Sequence, residues 1–179
     1  MFTEDYFSDN IPVWTELFKD LTDPEILEIG SLEGRSAIWL CQRFKNSKVH
    51  CVDTWEGSPE NSEVTKTGLY ERFIENTSEY RDQIVIHRGS SLSELKKMDQ
   101  EFDIIYVDGS HQAGDVLCDA VQSHLLLKSG GYLIFDDFGC PEPKNILEYP
   151  RLGIESFYRC LADKYNVILA EYQLILKKY

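Results

Sequence analysis

Three aspartates follow two apolar segments that the sequence predicts to be buried strands. Asp108 comes directly after Phe102–Val107. Asp136 and Asp137 come directly after Tyr132–Phe135. In a parallel sheet the carboxyl ends of neighbouring strands meet at one edge, which would bring these carboxylates together. Carboxylates so close repel one another unless a hard cation, which prefers oxygen ligands, lies among them. The pattern predicts a Mg²⁺ or Mn²⁺ site, with a solvated strand end as the alternative.

A glycine-bearing turn ends the first predicted strand. The sequence Glu28-Ile29-Gly30-Ser31-Leu32-Glu33-Gly34 places two glycines four residues apart. Such a turn lets backbone N–H groups and a helix N-terminus approach a ligand. Asp53 ends the second predicted strand, where an acid would accept hydrogen bonds from both hydroxyls of a ribose. Together these features predict a nucleoside-type cofactor site, whereas either alone also fits a helix-capping turn or a surface aspartate.

The glycine spacing indicates which cofactor is bound. A nicotinamide or flavin site follows the pattern G-x-G-x-x-G, but Leu32 occupies the second glycine position here. The turn instead resembles the first motif of class I S-adenosylmethionine-dependent methyltransferases. That resemblance implies that Gly30 makes room for the amino-acid end of the cofactor and that Glu28 acts in or beside that subsite. The cofactor-binding residues predicted in this way are Glu28, Gly30, Ser31, Gly34, Asp53, Thr54, Trp55, Ser90, Ser91 and Asp108. Trp55 could equally fill a groove, and Ser90-Ser91 could equally form a turn.

Three further segments narrow the resemblance to one branch of these enzymes. The segments are Cys51–Ser58, Phe102–His111 and Gly130–Phe138. They resemble the small metal-dependent O-methyltransferases that modify sugar and natural-product hydroxyls, relatives of macrolide-sugar and rhamnosyl O-methyltransferases. The resemblance extends from about Glu25 to Phe138 and implies that Asp108, Asp136 and Asp137 bind the metal.

The chain departs from this branch at the expected general base. Several antibiotic-sugar enzymes carry a second acid two residues after the first, but that position is Ser110 here and His111 follows it. We therefore predict that His111, together with Asp108, is catalytic. The alternative for His111 is a helix cap or a hydrogen bond to a backbone carbonyl.

Alternating strands and helices must position these residues. Short connections between them predict an α/β fold, a doubly wound and mostly parallel seven-stranded sheet of the Rossmann-like methyltransferase type. Val167–Glu171 and Gln173–Leu176 are predicted to form an antiparallel C-terminal hairpin, and Gly130-Gly131 a turn before the fifth strand. We interpret residues 1–179 as a single methyltransferase domain, with residues 1–22 as an N-terminal helical cap and 56–67 as a candidate lid loop.

Composition excludes some functions and leaves others open. Eighteen basic and 31 acidic residues give a net charge of −13, which repels nucleic acids and anionic membranes but suits a cationic sulfonium or a metal ion. Cysteines without a Cys-x-x-Cys pair and an acidic N-terminus without an apolar run predict a cytoplasmic protein.

The expected partner is a small-molecule acceptor, a sugar hydroxyl first and a catechol-like phenol second. A homo-oligomer is the other partner considered. The alternatives are a non-catalytic S-adenosylmethionine-binding module and, less favoured, a nicotinamide-dependent oxidoreductase.

Overall fold

The computed structural model describes residues 2–57 and 67–179, and in these residues seven strands form one sheet. The strands are β1 (Ile26–Ile29), β2 (Val49–Asp53), β3 (Ile84–Arg88), β4 (Phe102–Val107), β5 (Leu127–Phe135), β6 (Tyr165–Ala170) and β7 (Leu174–Lys178). Their order is β3-β2-β1-β4-β5-β7-β6. Neighbours from β3 to β5 are parallel, whereas β7 is antiparallel to both β5 and β6. This confirms the predicted doubly wound sheet with its C-terminal hairpin.

Helices cover both faces of the sheet. They are α1 (Ile11–Leu17), α2 (Arg35–Arg43), α3 (Leu69–Asn76), α4 (Ser91–Glu94), α5 (Ala113–Leu126) and α6 (Pro150–Leu161). Successive strand side chains point to opposite faces, so Ile104 packs in the cluster under α1, α2 and α3, while Ile105 packs in the cluster under α5 and α6. Among the described residues, no helix is long and apolar enough to cross a membrane.

The strand order places a ligand site next to β1. The chain moves outward from β1 to β2 and β3, then returns to β4 on the other side of β1. Ligands of such sheets bind beyond the carboxyl ends of the strands at this switch point. The backbone N–H of Asp108 donates to the carbonyl of Ile29 at 2.8 Å, so the ends of β1 and β4 lie side by side.

Several element boundaries differ from the sequence prediction, including those of both hairpin strands, which are Tyr165–Ala170 and Leu174–Lys178. The strand β5 begins at Leu127, and Gly130-Gly131 lies inside it instead of forming a turn before it. The ladder with β4 is irregular between Phe102 and Ile104, and Gly130 has a φ of 81°, a conformation that glycine adopts without strain. The first helix ends at Leu17, about one turn earlier than the helical spacing of Trp14, Leu17, Phe18 and Leu21 predicts.

The helical cap predicted for residues 1–22 contains α1 and a preceding single 3₁₀ turn, Ser8–Asn10. Trp14 and Phe18 are fully buried against the sheet, so this segment is packed as part of the core. The predicted lid loop falls largely on residues 58–66, which lie outside the described residues.

Candidate active site

A cavity of about 370 Å³ opens where β1, β2, β4 and β5 end. This volume is in the range of sites that bind small molecules. The cavity brings together eight of the predicted site residues: Gly30, Ser31, Asp53, Thr54, Asp108, His111, Asp136 and Asp137. It does not include the other five among its lining residues: Glu28, Gly34, Trp55, Ser90 and Ser91. The predicted cofactor turn and the predicted metal ligands therefore share one cavity.

Asp53 fixes the glycine turn through backbone hydrogen bonds. Its Oδ2 accepts from the N–H groups of Ser31 and Leu32, both at 2.9 Å, and its Oδ1 accepts from the N–H of Trp55 at 2.7 Å. Burial raises the pKa of Asp53 even though these hydrogen bonds oppose the shift. A carboxylate oxygen accepts two hydrogen bonds, so Oδ1 retains capacity for one ligand hydroxyl. Asp53 is thus a structural residue of the turn, with one oxygen rather than two left for a ribose.

The backbone around residue 30 requires a glycine there. It has a φ of 89°, and a Cβ there would overlap the backbone oxygen of Asp108. A side chain at Gly30 would therefore separate β1 from β4 as well as block the turn. Gly30 also lines the cavity, and its predicted role in making room for the cofactor stays a prediction.

Glu28 and Trp55 are buried residues next to the glycine turn. Glu28 is fully buried and accepts a hydrogen bond from the Ser36 hydroxyl, and burial raises the pKa of its carboxyl to about 7. Trp55 packs against Phe73, with ring centroids 4.7 Å apart, and its Nε1 donates to the carbonyl of Leu32 at 2.9 Å. The structure places the Trp55 ring in the hydrophobic core, which favours the groove-filling alternative.

The remaining predicted cofactor residues occupy element ends. Gly34 precedes α2 with a φ of 84°, where a Cβ would press on the Thr77 side chain. Ser90 precedes α4, and Ser91 lies beside the buried Asp119, whose pKa burial raises to about 6. These three residues are not among those that line the cavity.

Asp108, Asp136 and Asp137 form a compact cluster, called here the acid trio. Each contributes an oxygen, and these oxygens all lie within 4.8 Å of one another. The Tyr106 hydroxyl donates to Oδ2 of Asp108 at 2.9 Å. The Gln173 amide donates to Oδ1 of Asp136 at 2.7 Å. Hydrogen bonds of this kind orient carboxylates that ligate metals.

Asp137 is held from two sides. Its Oδ1 accepts from the Tyr172 hydroxyl at 2.6 Å, and its Oδ2 lies 2.8 Å from Nε2 of His111. Its φ of 56° is uncommon outside glycine, and such backbone conformations concentrate at functional sites. His111 is thus part of the same hydrogen-bonded group as the acid trio, as its predicted role requires.

The buried carboxyl groups of the acid trio favour the binding of a positive charge. Burial, followed by the charges of Asp136 and Asp137, holds the pKa of Asp108 well above its usual range. Burial likewise raises the pKa of Asp136 to about 6. At Asp137 burial is outweighed by hydrogen bonds from His111 and Tyr172, and its pKa is lowered. A bound divalent cation would lower the pKa of these carboxyls, because it favours the ionised form of each.

Ser110, two residues after Asp108, has a structural role. Its hydroxyl donates to Asp115 at 2.9 Å and accepts from the N–H of Gln112 at 3.1 Å. These contacts fasten the start of α5. The role of His111 as the base stays a prediction, and its described contact is with Asp137.

The N-terminal segment closes one side of the cavity. Phe2, Glu4, Tyr6 and Phe7 are among its lining residues. The backbone N–H and the hydroxyl of Thr3 both donate to Glu33 of the glycine turn. The segment is thereby attached to the turn that it covers.

Sequence reasoning missed three residues that contact the acid trio. Tyr106 could have been found, because it lies two residues before Asp108 in an otherwise aliphatic part of β4. Tyr172 and Gln173 come from the connection between β6 and β7, and no local pattern links them to residues 35 and 37 positions earlier. Only the pairing of β7 with β5 brings that connection to the site.

Comparison with known proteins shows the family of this chain. The family described as "Methyltransferase domain" matches residues 27–138, from β1 to just beyond the acid trio. The chain belongs to this family. The match includes the glycine turn, Asp53 and the acid trio, so the methyltransferase assignment made from the motifs is confirmed.

Individual relatives of this methyltransferase are distant. The O-methyltransferase hkm8 of Aspergillus hancockii is 27% identical over 112 residues, which is 63% of this chain but only 42% of that protein. An O-methyltransferase from Bacillus cereus solved in complex with SAH has a TM-score of 0.71 at 20% identity and covers 98% of this chain and 84% of its own. TomG from Streptomyces achromogenes, solved with SAM, has a TM-score of 0.66 at 19% identity, covering 93% of this chain and 77% of its own. At such identities the two structures show a shared fold.

Proposed function

We propose that this methyltransferase transfers a methyl group from S-adenosylmethionine to a hydroxyl of a small molecule, with help from a divalent cation. The observation that carries the proposal is the shared cavity: the turn at Gly30 and Asp53 forms one part of it, and the acid trio forms another. A cofactor and a cation bound there would lie within one cavity. Neither a binding module nor a nucleotide-dependent oxidoreductase needs the acid trio at that place.

The cavity suits S-adenosylmethionine in size and charge. Its volume of about 370 Å³ fits a small cofactor. Oδ1 of Asp53 has capacity for a ribose hydroxyl, and the nearby carboxylates favour a cation by Coulomb attraction. Bound S-adenosylmethionine would supply an electrophilic methyl group on a positively charged sulfur. The protein would contribute by holding the two reacting atoms about 3–3.5 Å apart and in line.

The acid trio suits Mg²⁺ or Mn²⁺. It offers oxygen ligands only, the set that hard cations prefer, and burial makes its charges costly without one. A bound cation would supply positive charge that stabilises an ionised hydroxyl of the acceptor. Tyr106, Gln173 and Tyr172 would hold the three carboxylates in place.

His111 would accept the proton of the acceptor hydroxyl. A proton between Nε2 and Asp137 makes Nδ1 the basic nitrogen of the neutral ring. Asp137 would thus orient the base, in the way that carboxylates fix the tautomer of catalytic histidines. A positioned base contributes about 10²–10⁴-fold to a rate.

The acceptor that we propose is a sugar or another small natural product. The fungal relative is named an O-methyltransferase, and TomG is described as involved in tomaymycin synthesis. The surroundings of His111, with Tyr172 and the aromatic residues of the N-terminal segment, offer both hydrogen-bonding groups and apolar ring faces to such a molecule.

Calorimetry with cofactor candidates, followed by an activity assay, tests this proposal. We expect S-adenosylmethionine and S-adenosylhomocysteine to bind and NAD not to bind. A methyl-transfer assay on a panel of sugars and phenols should stop with EDTA and resume with Mg²⁺ or Mn²⁺. Binding of NAD alone would overturn the cofactor assignment. Full activity in metal-free enzyme would overturn the cation and leave His111 to act unaided.

A further inference from the structure

Trp14 and Gln173 form a buried hydrogen-bonded pair that reaches the acid trio from the protein interior. Nε1 of Trp14 donates to Oε1 of Gln173 at 2.8 Å. Nε2 of Gln173 in turn donates to Oδ1 of Asp136 at 2.7 Å. Trp14 is 0% exposed and Gln173 3% exposed, and neither of these described side chains lines the cavity. Gln173 therefore contacts Asp136 from the protein interior, and Trp14 contacts Gln173.

The chemistry of the indole sets the direction of this pair. An indole N–H is a donor only, whereas a glutamine amide has an accepting oxygen at one end and a donating NH₂ at the other. The oxygen of Gln173 must face Trp14, so its NH₂ must face Asp136. An ionised carboxylate only accepts hydrogen bonds, so the indole and Asp136 select the same orientation of the amide. The indole therefore reinforces the orientation in which Gln173 donates to Asp136.

The same indole supports a second member of the acid trio by packing. The rings of Trp14 and Tyr106 meet edge to face with centroids 4.9 Å apart, and the Tyr106 hydroxyl donates to Asp108. Asp136 is the most buried of the three acids, at 8% exposure, so its orientation depends most on protein contacts. One residue of α1 thus influences two ligands at the ends of β4 and β5.

We propose that Trp14 and Gln173 are positioning residues for a divalent cation at the acid trio. The proposal rests on the cation site of the proposed function and adds two residues that do not touch the ligand. Their role is to hold Oδ1 of Asp136 in one orientation before the cation arrives. If the pair were purely structural, replacing either residue would change the stability of the protein but not its cation affinity.

Titration calorimetry with MnCl₂ on the full chain without acceptor provides the test. Gln173→Met removes the donor to Asp136 and should weaken Mn²⁺ binding about 10–100-fold, as losses of outer hydrogen bonds to metal ligands do. Trp14→Phe keeps a ring but removes the N–H, and should weaken it about 3–10-fold. Both variants should retain wild-type affinity for S-adenosylmethionine. Trp39→Phe is the matched control, since Trp39 packs on Trp14 in the same aromatic cluster.

The double variant shows whether Trp14 acts through Gln173. We expect Trp14→Phe to have no further effect on Mn²⁺ affinity once Gln173 is methionine. Additive losses, or a loss as large in Trp39→Phe, would overturn the proposal while leaving the cation site intact. A wild-type protein that binds no Mn²⁺ would overturn the cation site and the positioning role with it. Should Trp14→Phe fail to fold, unchanged Mn²⁺ affinity in Gln173→Met would still overturn the proposal.

Discussion

The hydroxyl of Tyr172 lies 2.6 Å from Oδ1 of Asp137, which joins the connection between β6 and β7 to the end of β5. Tyr172 is 53% exposed and lines the cavity, so the hydrogen bond is formed at the mouth of the site. It is one of the two contacts that lower the pKa of Asp137. The C-terminal hairpin therefore helps to keep a proposed metal ligand ionised.

Tyr172→Phe should weaken cation binding without unfolding the protein. The variant keeps the ring but removes one hydrogen bond to a carboxylate, so we expect Mn²⁺ affinity to fall about 2–10-fold. Titration calorimetry measures this change. Tyr179→Phe, which alters another exposed tyrosine whose hydroxyl donates to Asn166, is the control. Equal affinities in wild type and Tyr172→Phe would show that the contact does not serve the cation.

His111→Gln distinguishes two roles of His111, that of a base and that of a hydrogen-bond donor to Asp137. Glutamine can still donate to Asp137 but cannot take up a proton near neutral pH. We expect kcat to fall about 10²–10⁴-fold in this variant and equally in His111→Ala, with cofactor affinity unchanged in both variants and Mn²⁺ affinity unchanged in His111→Gln, which keeps a donor to Asp137. Steady-state kinetics and calorimetry test both variants. Near-normal turnover in His111→Gln would mean that His111 only orients Asp137.

Asp53→Ala should reduce both stability and cofactor binding. Three backbone N–H groups lose their acceptor, so the free energy of unfolding should fall by about 1–3 kcal/mol. Loss of the oxygen available for the ribose should weaken S-adenosylmethionine binding as well. Urea unfolding and calorimetry measure the two effects, with Asp99→Ala at an exposed position as control. A stable variant with normal affinity would refute the role of Asp53 in the turn.

His50 should make the protein less stable in mild acid. Burial, together with the charges of His87 and Lys48, lowers the pKa of His50 to about 4, compared with 6.5 for an exposed histidine. Between these values the unfolded chain binds a proton that the folded chain does not. The His50 contribution to stability is therefore complete above pH 6.5 and is lost as the pH falls towards 4, by up to about 3 kcal/mol.

Urea unfolding of wild type and His50→Gln at pH 7 and pH 4.5 isolates this contribution. Nδ1 of His50 lies 2.9 Å from Nε2 of His87, and Gln100 and Glu25 are its other polar neighbours. The wild type should lose more stability than the variant over this interval. Identical losses would show that His50 does not govern the acid response, because all other titrating groups are common to both proteins.

The sequence by itself determined which residues end the strands. Buried parallel strands are continuous apolar runs, so Phe102–Val107 was identified to the residue, and with it the position of Asp108. The left-handed glycines and the Asp136-Asp137 pair are equally local signals. From these signals the fold, the methyltransferase family and eight cavity-lining residues could be predicted.

Only the tertiary structure decided which contacts these residues make. Gly30 and Asp53 have the residue types that the motif requires. In the structure, Gly30 lets the end of β1 approach the end of β4, and Asp53 accepts hydrogen bonds that hold the glycine turn. Trp14 and Gln173 are 159 residues apart in sequence and meet because β7 inserts antiparallel beside β5. Strand order is set by packing over the whole sheet, and no local pattern encodes which distant side chains it places around a carboxylate.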